Sequence, residues 1–213
     1  MNIRWIGSDE SGKGDYFGPL VVAAAYVDSD TISFLINVGV KDSKLLSDGR
    51  VMRLDEEIRA RCIYSTVPIG PQRYNELYAQ IKNLNRLLAW GHARALENVL
   101  AKVECHRAVT DQFGDPRLVE KALMEKGRML HLEQRPRAES DVGVAAASIL
   151  ARAEFLRQLQ RLSNEVHTEL PKGASSAVES VARGLVQRYG PDVLQRVAKV
   201  HFKTTARVVN SPH

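Results

Sequence analysis

Residues 7–19 read Gly7-Ser-Asp-Glu-Ser-Gly-Lys-Gly-Asp-Tyr-Phe-Gly-Pro19, and the parsing of this stretch decides the parsing of the chain. A short apolar run, residues 3–7, leads into the adjacent carboxylates Asp9 and Glu10, and a Gly12-Lys13-Gly14 turn follows at once. The spacing of Gly7, Gly12 and Lys13 approximates a phosphate loop, but such a loop needs Ser or Thr after its lysine to hold magnesium. Position 14 is Gly, and two acids inside the loop would repel phosphate. The stretch is therefore read as a strand that ends in carboxylates able to ligate a divalent cation. The turn after it offers backbone N–H groups and one lysine to an anionic backbone. Metal ligands next to a phosphate contact point to phosphodiester chemistry.

Working outward, residues 17–28 are rich in β-branched and small apolar residues, and Pro19-Leu-Val-Val-Ala-Ala-Ala-Tyr-Val27, nearly all apolar, has the pattern of a strand buried on both faces. With residues 3–7 it reads as a hairpin or tight strand pair across the glycine turn. Helical periodicity follows over 48–60 and 72–81, with a strand near 63–69 between them. Residues 85–102 place Leu88, His92, Leu96 and Val99 on one face of a long amphipathic helix. A strand over 107–110 ends at Asp111, and 128–132 is a further strand candidate before the acidic Ala138-Glu-Ser-Asp141. Helical segments over 144–162, 175–189 and 191–198 complete an α/β chain: a mixed central sheet with helices on both faces and a helical C-terminal extension from about 165.

The 213 residues form one expected domain, 1–213, long enough for a substantial core and undivided by any Pro, Gly or Ser-rich linker. Cys62 and Cys105 supply neither a disulfide framework nor paired metal ligands, and are read as small buried hydrophobes in a reduced compartment. No basic leader with a long apolar core opens the sequence, and no apolar run is long enough to span a bilayer, so a cytoplasmic location without membrane attachment is expected. The net charge of +5 favours a polyanionic partner without proving one.

Asp9 and Glu10 at one strand end, Asp111 at another, and Glu139 or Asp141 before a helix could share one site if these ends converge. Unpaired acids at close quarters drive one another toward the neutral form, so such a cluster calls for cations within it. Two magnesium ions roughly 4 Å apart would offset the charge, activate a water and stabilise the leaving oxygen of an in-line displacement.

The stretch 9–19 together with Lys41-Asp-Ser-Lys44, Asn83-Leu-Asn85 with His92, Ala138-Glu-Ser140 leading into Val144-Ala-Ala-Ala-Ser-Ile-Leu-Ala-Arg152, Leu170-Pro-Lys-Gly-Ala-Ser175 and Lys199-Val-His-Phe-Lys203 resembles ribonuclease HIII over nearly the whole chain. Asp-Ser-Lys and Ala-Ala-Ser-Ile are shared with the related ribonuclease HII. The resemblance implies a ribonuclease H-like fold and an endonuclease that cuts the RNA strand of RNA/DNA hybrids with Mg²⁺ or Mn²⁺. It carries the catalytic, metal-binding carboxylates over as Asp9, Glu10, Asp111 and Glu139, with Asp141 as the alternative fourth. Gly12, Lys13 and Gly14 would meet the hybrid backbone, where the 2′-hydroxyls that mark RNA are read, and Lys44 would meet a phosphate near the scissile bond. The Gly-Lys-Gly turn, in place of the Gly-Arg-Gly that resembles type II, points away from cleavage at single embedded ribonucleotides. A non-catalytic hybrid or double-stranded RNA binding module is the reading from another class.

Family members usually carry an N-terminal substrate-binding domain, whereas the first strand here starts at residue 3. The chain is thus expected to be a monomeric catalytic domain whose affinity is supplemented by a separate binding protein or by basic helices near Lys172, Arg183, Arg188 and Lys199. Asp15 is read as closing the glycine turn, His92 as packed or hydrogen-bonded, and Trp5, Trp90, Tyr16 and Phe17 as core. His201 is read as structural, with an approach to substrate left open, and Lys172 to Ala174 as a loop.

Overall fold

The computed structural model describes residues 3–113, 115, 117–124 and 126–209; the side chain of Glu139 lies outside the described set. Among the described residues there are five strands, β1 (Arg4–Ser11), β2 (Leu20–Asp28), β3 (Tyr64–Ile69), β4 (Arg107–Asp111) and β5 (His131–Arg135). The helices are α1 (Ser29–Asn37), α2 (Asp48–Arg61), α3 (Pro71–Ile81), α4 (Leu84–Leu100), α5 (Arg117–Ala122), α6 (Val142–Glu165), α7 (Ser176–Tyr189), α8 (Val193–Val197) and α9 (Lys203–Val209). The chain divides into two compact units, one of Met1–Ser11, Val21–Val67 and Asn83–Glu154, the other of Gly12–Leu20, Pro68–Lys82 and Phe155–His213.

The first unit is built on a sheet of order β3-β2-β1-β4-β5. β1 runs antiparallel to β2 and parallel to β4, which runs parallel to β5, so the sheet is mixed as expected. Alternation along β1 separates two faces. Ile6 joins Val22, Ala24 and Tyr26 of β2 and Ala108 of β4 in a buried cluster with Ala93, Leu96 and Val99 of α4. Gly7 lies on the other face, where an added Cβ would come within 2.0 Å of the Gly143 carbonyl carbon. The missing side chain is what lets the start of α6 settle onto the central strand. β2 is buried along its whole length except Asp28, which matches its unbroken apolar sequence.

The second unit is mostly helical. The segment 15–18 is held by main-chain bonds to the unit's C-terminal part: Tyr16 N–H donates to Gly173 O (2.8 Å), Gly18 N–H to Val197 O (2.9 Å), and Lys199 N–H to Tyr16 O (2.8 Å). Tyr16 and Phe17 are completely buried, as core aromatics.

Three expectations are corrected. The strand expected over 128–132 lies at His131–Arg135, because Gly127–Met129 forms a 3-10 turn. Trp90 is 38% exposed and Trp5 8%, so only Trp5 is a core residue. Trp90 follows Ala89 on the α4 surface, one position off the buried stripe. Lys199, expected to supply phosphate affinity from a basic helix, is fully buried and lies between α8 and α9.

Candidate active site

Adjacent residues on a strand face opposite ways, and Asp9 and Glu10 use both sides of β1. On the α4 side, His92 is completely buried and bridges three polar groups of the strand ends. Its Nε2 lies 3.2 Å from Glu10 Oε2, and its Nδ1 lies 3.0 Å from Ser8 Oγ and 3.2 Å from Thr110 Oγ1. The set is satisfied when Nε2–H donates to the carboxylate and Nδ1 accepts from a hydroxyl, the arrangement that orients a ligating carboxylate. Phe113 stacks on the imidazole at a centroid distance of 4.9 Å. The long amphipathic helix thus carries at its His92 position a group that holds Glu10. Ser8 and Thr110 were not singled out in the sequence, although a hydroxyl just before each strand-end acid is the signal that marks them.

On the α6 side, the parallel pairing of β1 with β4 runs through Ser8↔Thr110, and one residue further the strands reach Asp9 and Asp111. Asp9 is only 6% exposed. Burial, chiefly, and the nearby charges of Glu10 and Asp111 push its carboxyl well above the usual range, against a bond from Glu10 N–H and the charge of Lys44. Asp111 Oδ1 accepts from Ala138 N–H at 3.2 Å, tying the end of β4 to the 3-10 turn Ala138–Ser140.

That turn carries Glu139 and runs into Asp141, and the surroundings of Asp141 are specific. Its Oδ1 accepts from Gly143 N–H (2.9 Å), Val144 N–H (3.1 Å) and Trp5 Nε1–H (2.9 Å), and its Oδ2 takes an Arg135 guanidinium N–H at 3.4 Å. This is the N-cap of α6, satisfying two of the donors a helix start leaves open. The Asp141 carboxylate is committed to these four donors.

Lys44 is exposed on the 3-10 turn Ser43–Leu45, which Asp42 caps through Lys44 N–H (3.0 Å). The turn is anchored to α6: Ser43 N–H donates to Ser148 Oγ (3.2 Å), and Arg152 donates to Ser43 O and pairs with Asp48 at 2.6 Å. Ser148 and Arg152, one helical turn apart, place the segment whose charge reaches Asp9. A cleft of about 700 Å³ adjoins it, lined by Lys41, Asp42, Lys44, Leu45, Arg137 and Val142 among others.

Among the described residues no three His, Cys, Asp or Glu side chains meet closely enough to share an ion, and the Glu139 side chain lies outside that set. The donor set nevertheless fits a hard divalent cation: oxygen ligands, one of them raised chiefly by burial and then by its acidic neighbours.

In the second unit, Gly12 has φ +86, and a Cβ there would come within 2.2 Å of Pro19 O, so this turn requires glycine. Lys13 is half-buried and Gly14 exposed. Asp15 closes the loop as expected, its Oδ1 accepting from Gly173 N–H at 2.7 Å and its own N–H donating to Gly12 O at 3.3 Å. His201 stacks on Tyr78 at 4.1 Å.

A mixed five-stranded sheet with carboxylates at the ends of adjacent parallel strands and helices over both faces is a ribonuclease H-like fold. The family model described as ribonuclease HII matches residues 6–205. The ribonuclease HIII of Protochlamydia amoebophila (strain UWE25) is 47% identical over 199 residues, 93% of this chain and 66% of that protein. The ribonuclease HIII of Chlamydia felis (strain Fe/C-56) is 41% identical over 209 residues, 97% and 70% respectively. The crystal structure of Bst-RNase HIII in complex with Mn2+ superposes with a TM-score of 0.90 at 35% identity, covering 97% of this chain and 69% of that one. The chain belongs to the ribonuclease HII family of ribonucleases, and within it to the ribonuclease HIII type. It spans about two thirds of the length of these relatives, 66% and 70%.

Proposed function

We propose that the chain is an endonuclease that hydrolyses the RNA strand of RNA/DNA hybrids, leaving 5′-phosphate and 3′-hydroxyl ends. The observation that carries this reading is the raised, buried Asp9 at a strand end shared with Glu10 and Asp111, a concentration of like charge that a bound cation would relieve. Asp9, Glu10, Asp111 and Glu139 are the proposed holders of two Mg²⁺ or Mn²⁺ ions, a reading supported by the Mn2+ complex of the Bst relative. Glu139 takes the fourth place because Asp141 is spent on capping α6. When bound, the ions supply water activation and charge stabilisation for an in-line displacement at phosphorus.

The chain's own groups do the rest. His92 holds the Glu10 carboxylate in one orientation, and burial removes the water that would compete at Asp9. Lys44 offers its ammonium to a phosphate beside the scissile bond. The Gly12-Lys13-Gly14 turn meets the hybrid backbone with Lys13 on a phosphate and the glycines admitting the sugar edge, where a 2′-hydroxyl distinguishes RNA from DNA. A monomer working in the cytoplasm is the accompanying expectation; among the described residues no helix is long and apolar enough to cross a membrane.

Three labelled duplexes test the reading with Mg²⁺ or Mn²⁺ added: a continuous RNA/DNA hybrid, DNA with one embedded ribonucleotide, and double-stranded RNA, each also with Asp9→Asn. Hybrid cleavage that vanishes in the variant is expected. Preference for the single ribonucleotide reassigns the substrate, and binding without cleavage of any duplex sinks the enzymatic reading.

A further inference from the structure

The second unit buries a lysine side chain that the proposed chemistry does not use. Lys199 is completely buried, and its Nζ donates to Asp15 O and Gly18 O, each at 2.7 Å, with Phe17 O at 3.5 Å. An ammonium has three protons and no acceptor capacity, and here three carbonyls receive them. All three belong to one four-residue segment. The lysine's main chain joins in, Lys199 N–H donating to Tyr16 O at 2.8 Å, and Phe17 forms a β-bridge with Ala198. At the segment's far edge, Tyr16 Oη and Thr205 Oγ1 are 3.0 Å apart.

A buried charge is an unusual way to hold a segment whose Tyr16 and Phe17 side chains already pack in the core. Apolar packing would hold it at lower risk, because charge burial is strongly unfavourable unless each proton is matched. What the lysine adds is direction: three donors on one atom fix the positions of carbonyls along four residues, which packing does not do. The segment so fixed begins where the Gly12-Lys13-Gly14 turn ends, and Asp15 belongs to both through its N–H bond to Gly12 O.

We propose that Lys199 is a positioning residue for the nucleic-acid-reading turn: its buried ammonium grips the 15–18 main chain and so sets where Lys13 stands. This rests on the hybrid-cleaving reading above. Lys199 itself touches no substrate, and its action is carried entirely by Lys13.

A double-mutant cycle on hybrid binding decides it. Fluorescence anisotropy of a labelled RNA/DNA hybrid in EDTA, across a salt series, is measured for the wild type, Lys13→Ala, Lys199→Met and the double variant, beside the thermal midpoint of each. Lys13→Ala removes a phosphate contact and is expected to weaken binding about tenfold and lower the salt slope by about one. Lys199→Met should lower the slope by the same amount well below its own melting temperature, and the double variant should lose no more than either single one. In cleavage assays KM rises while kcat stays within about threefold. A lysine that serves stability alone would lower the midpoint and leave slope and KM unchanged. Additive losses in the double variant, or an unchanged slope in Lys199→Met, overturn the proposal. Lys199→Gln, which restores two donors, decides by the same cycle if Lys199→Met does not fold. Failure of both to fold assigns Lys199 to stability alone and overturns the proposal as well. A wild type that binds no hybrid overturns the functional reading and the clamp with it, whereas wild-type binding with additive variants overturns the clamp only.

Discussion

The two units each bury a charge and treat it in opposite ways. In the first, Asp9 is 6% exposed, and its surroundings add the negative charges of Glu10 and Asp111, so the fold presses the carboxyl toward its neutral form. In the second, Lys199 is wholly buried, and every proton of its ammonium has a carbonyl to meet. Burial lowers Lys199 to about 7, opposed by the charge of Asp15, and the carbonyl acceptors add to that opposition by favouring the protonated form. One charge is answered only in part by protein groups, the Glu10 N–H and the charge of Lys44, and the other meets a carbonyl at each proton. A buried charge that protein groups answer only in part is tolerable where a ligand completes it, which is the role proposed at Asp9 and not at Lys199.

The comparison breaks most sharply at Asp9. Asp9→Asn is expected to lower hybrid cleavage about 10³-fold or more, the several kcal/mol that metal-assisted charge stabilisation contributes. The same change should raise the stability of the metal-free protein. Because the folded pKa of Asp9 lies above its unfolded value of 3.8, the folded state binds more protons in the window between the two. Stability therefore falls as pH rises through that window. Urea midpoints in EDTA should show this decline in the wild type and a weaker one in Asp9→Asn, and added Mn²⁺ should reverse it only in the wild type. A metal-free variant less stable than the wild type at neutral pH would mean that Asp9 is not under repulsion.

At Lys199 the expectation has the opposite sign. Lys199→Met leaves the Asp15 and Gly18 carbonyls without a donor and should destabilise by about 3 kcal/mol, at 1–3 kcal/mol for each unmet group. A chain of this size then melts roughly 6–12 °C lower. A neutral or stabilising outcome would show that the buried ammonium, like some buried ion pairs, costs as much as it contributes.

Three further variants test the carboxylate site. His92→Phe fills the same buried position and removes the group facing Glu10, and should lower kcat or metal affinity about 10- to 100-fold, as for other residues that orient a ligand. Asp141→Asn keeps a capping oxygen and should lower stability by about 1 kcal/mol with cleavage largely retained, while Glu139→Gln abolishes cleavage. Kinetics and thermal melts on this pair separate cap from ligand; the reverse pattern would exchange the two roles.

Much of this arrangement is readable from the chain because it is local. An apolar run that stops at Asp9-Glu10, the unbroken β2 sequence and the His92 stripe of α4 each depend only on side-chain period and on which residues water excludes. The fold class follows from their order, and the strand-end positions of Asp9 and Asp111 follow from the strand boundaries. Three features resisted that reading. Lys199 looks like any surface cation beside Val-His-Phe-Lys, and Asp141 stands as the alternative to Glu139 for the fourth carboxylate. The strand expected at 128–132 begins three residues later because Gly127–Met129 turns first. Lys199 and the indole contact of Asp141 are set by distant atoms, the carbonyls of residues 15–18 and Trp5 Nε1, whereas the α6 cap and the Gly127–Met129 turn are local. By itself the sequence determines the strands, the helical faces and which carboxylates end strands, since these follow from nearest-neighbour sterics and hydrophobic period. Only the tertiary structure decides which buried charges find partners, because a hydrogen bond between residues more than a hundred positions apart exists only once the chain has closed the loop between them.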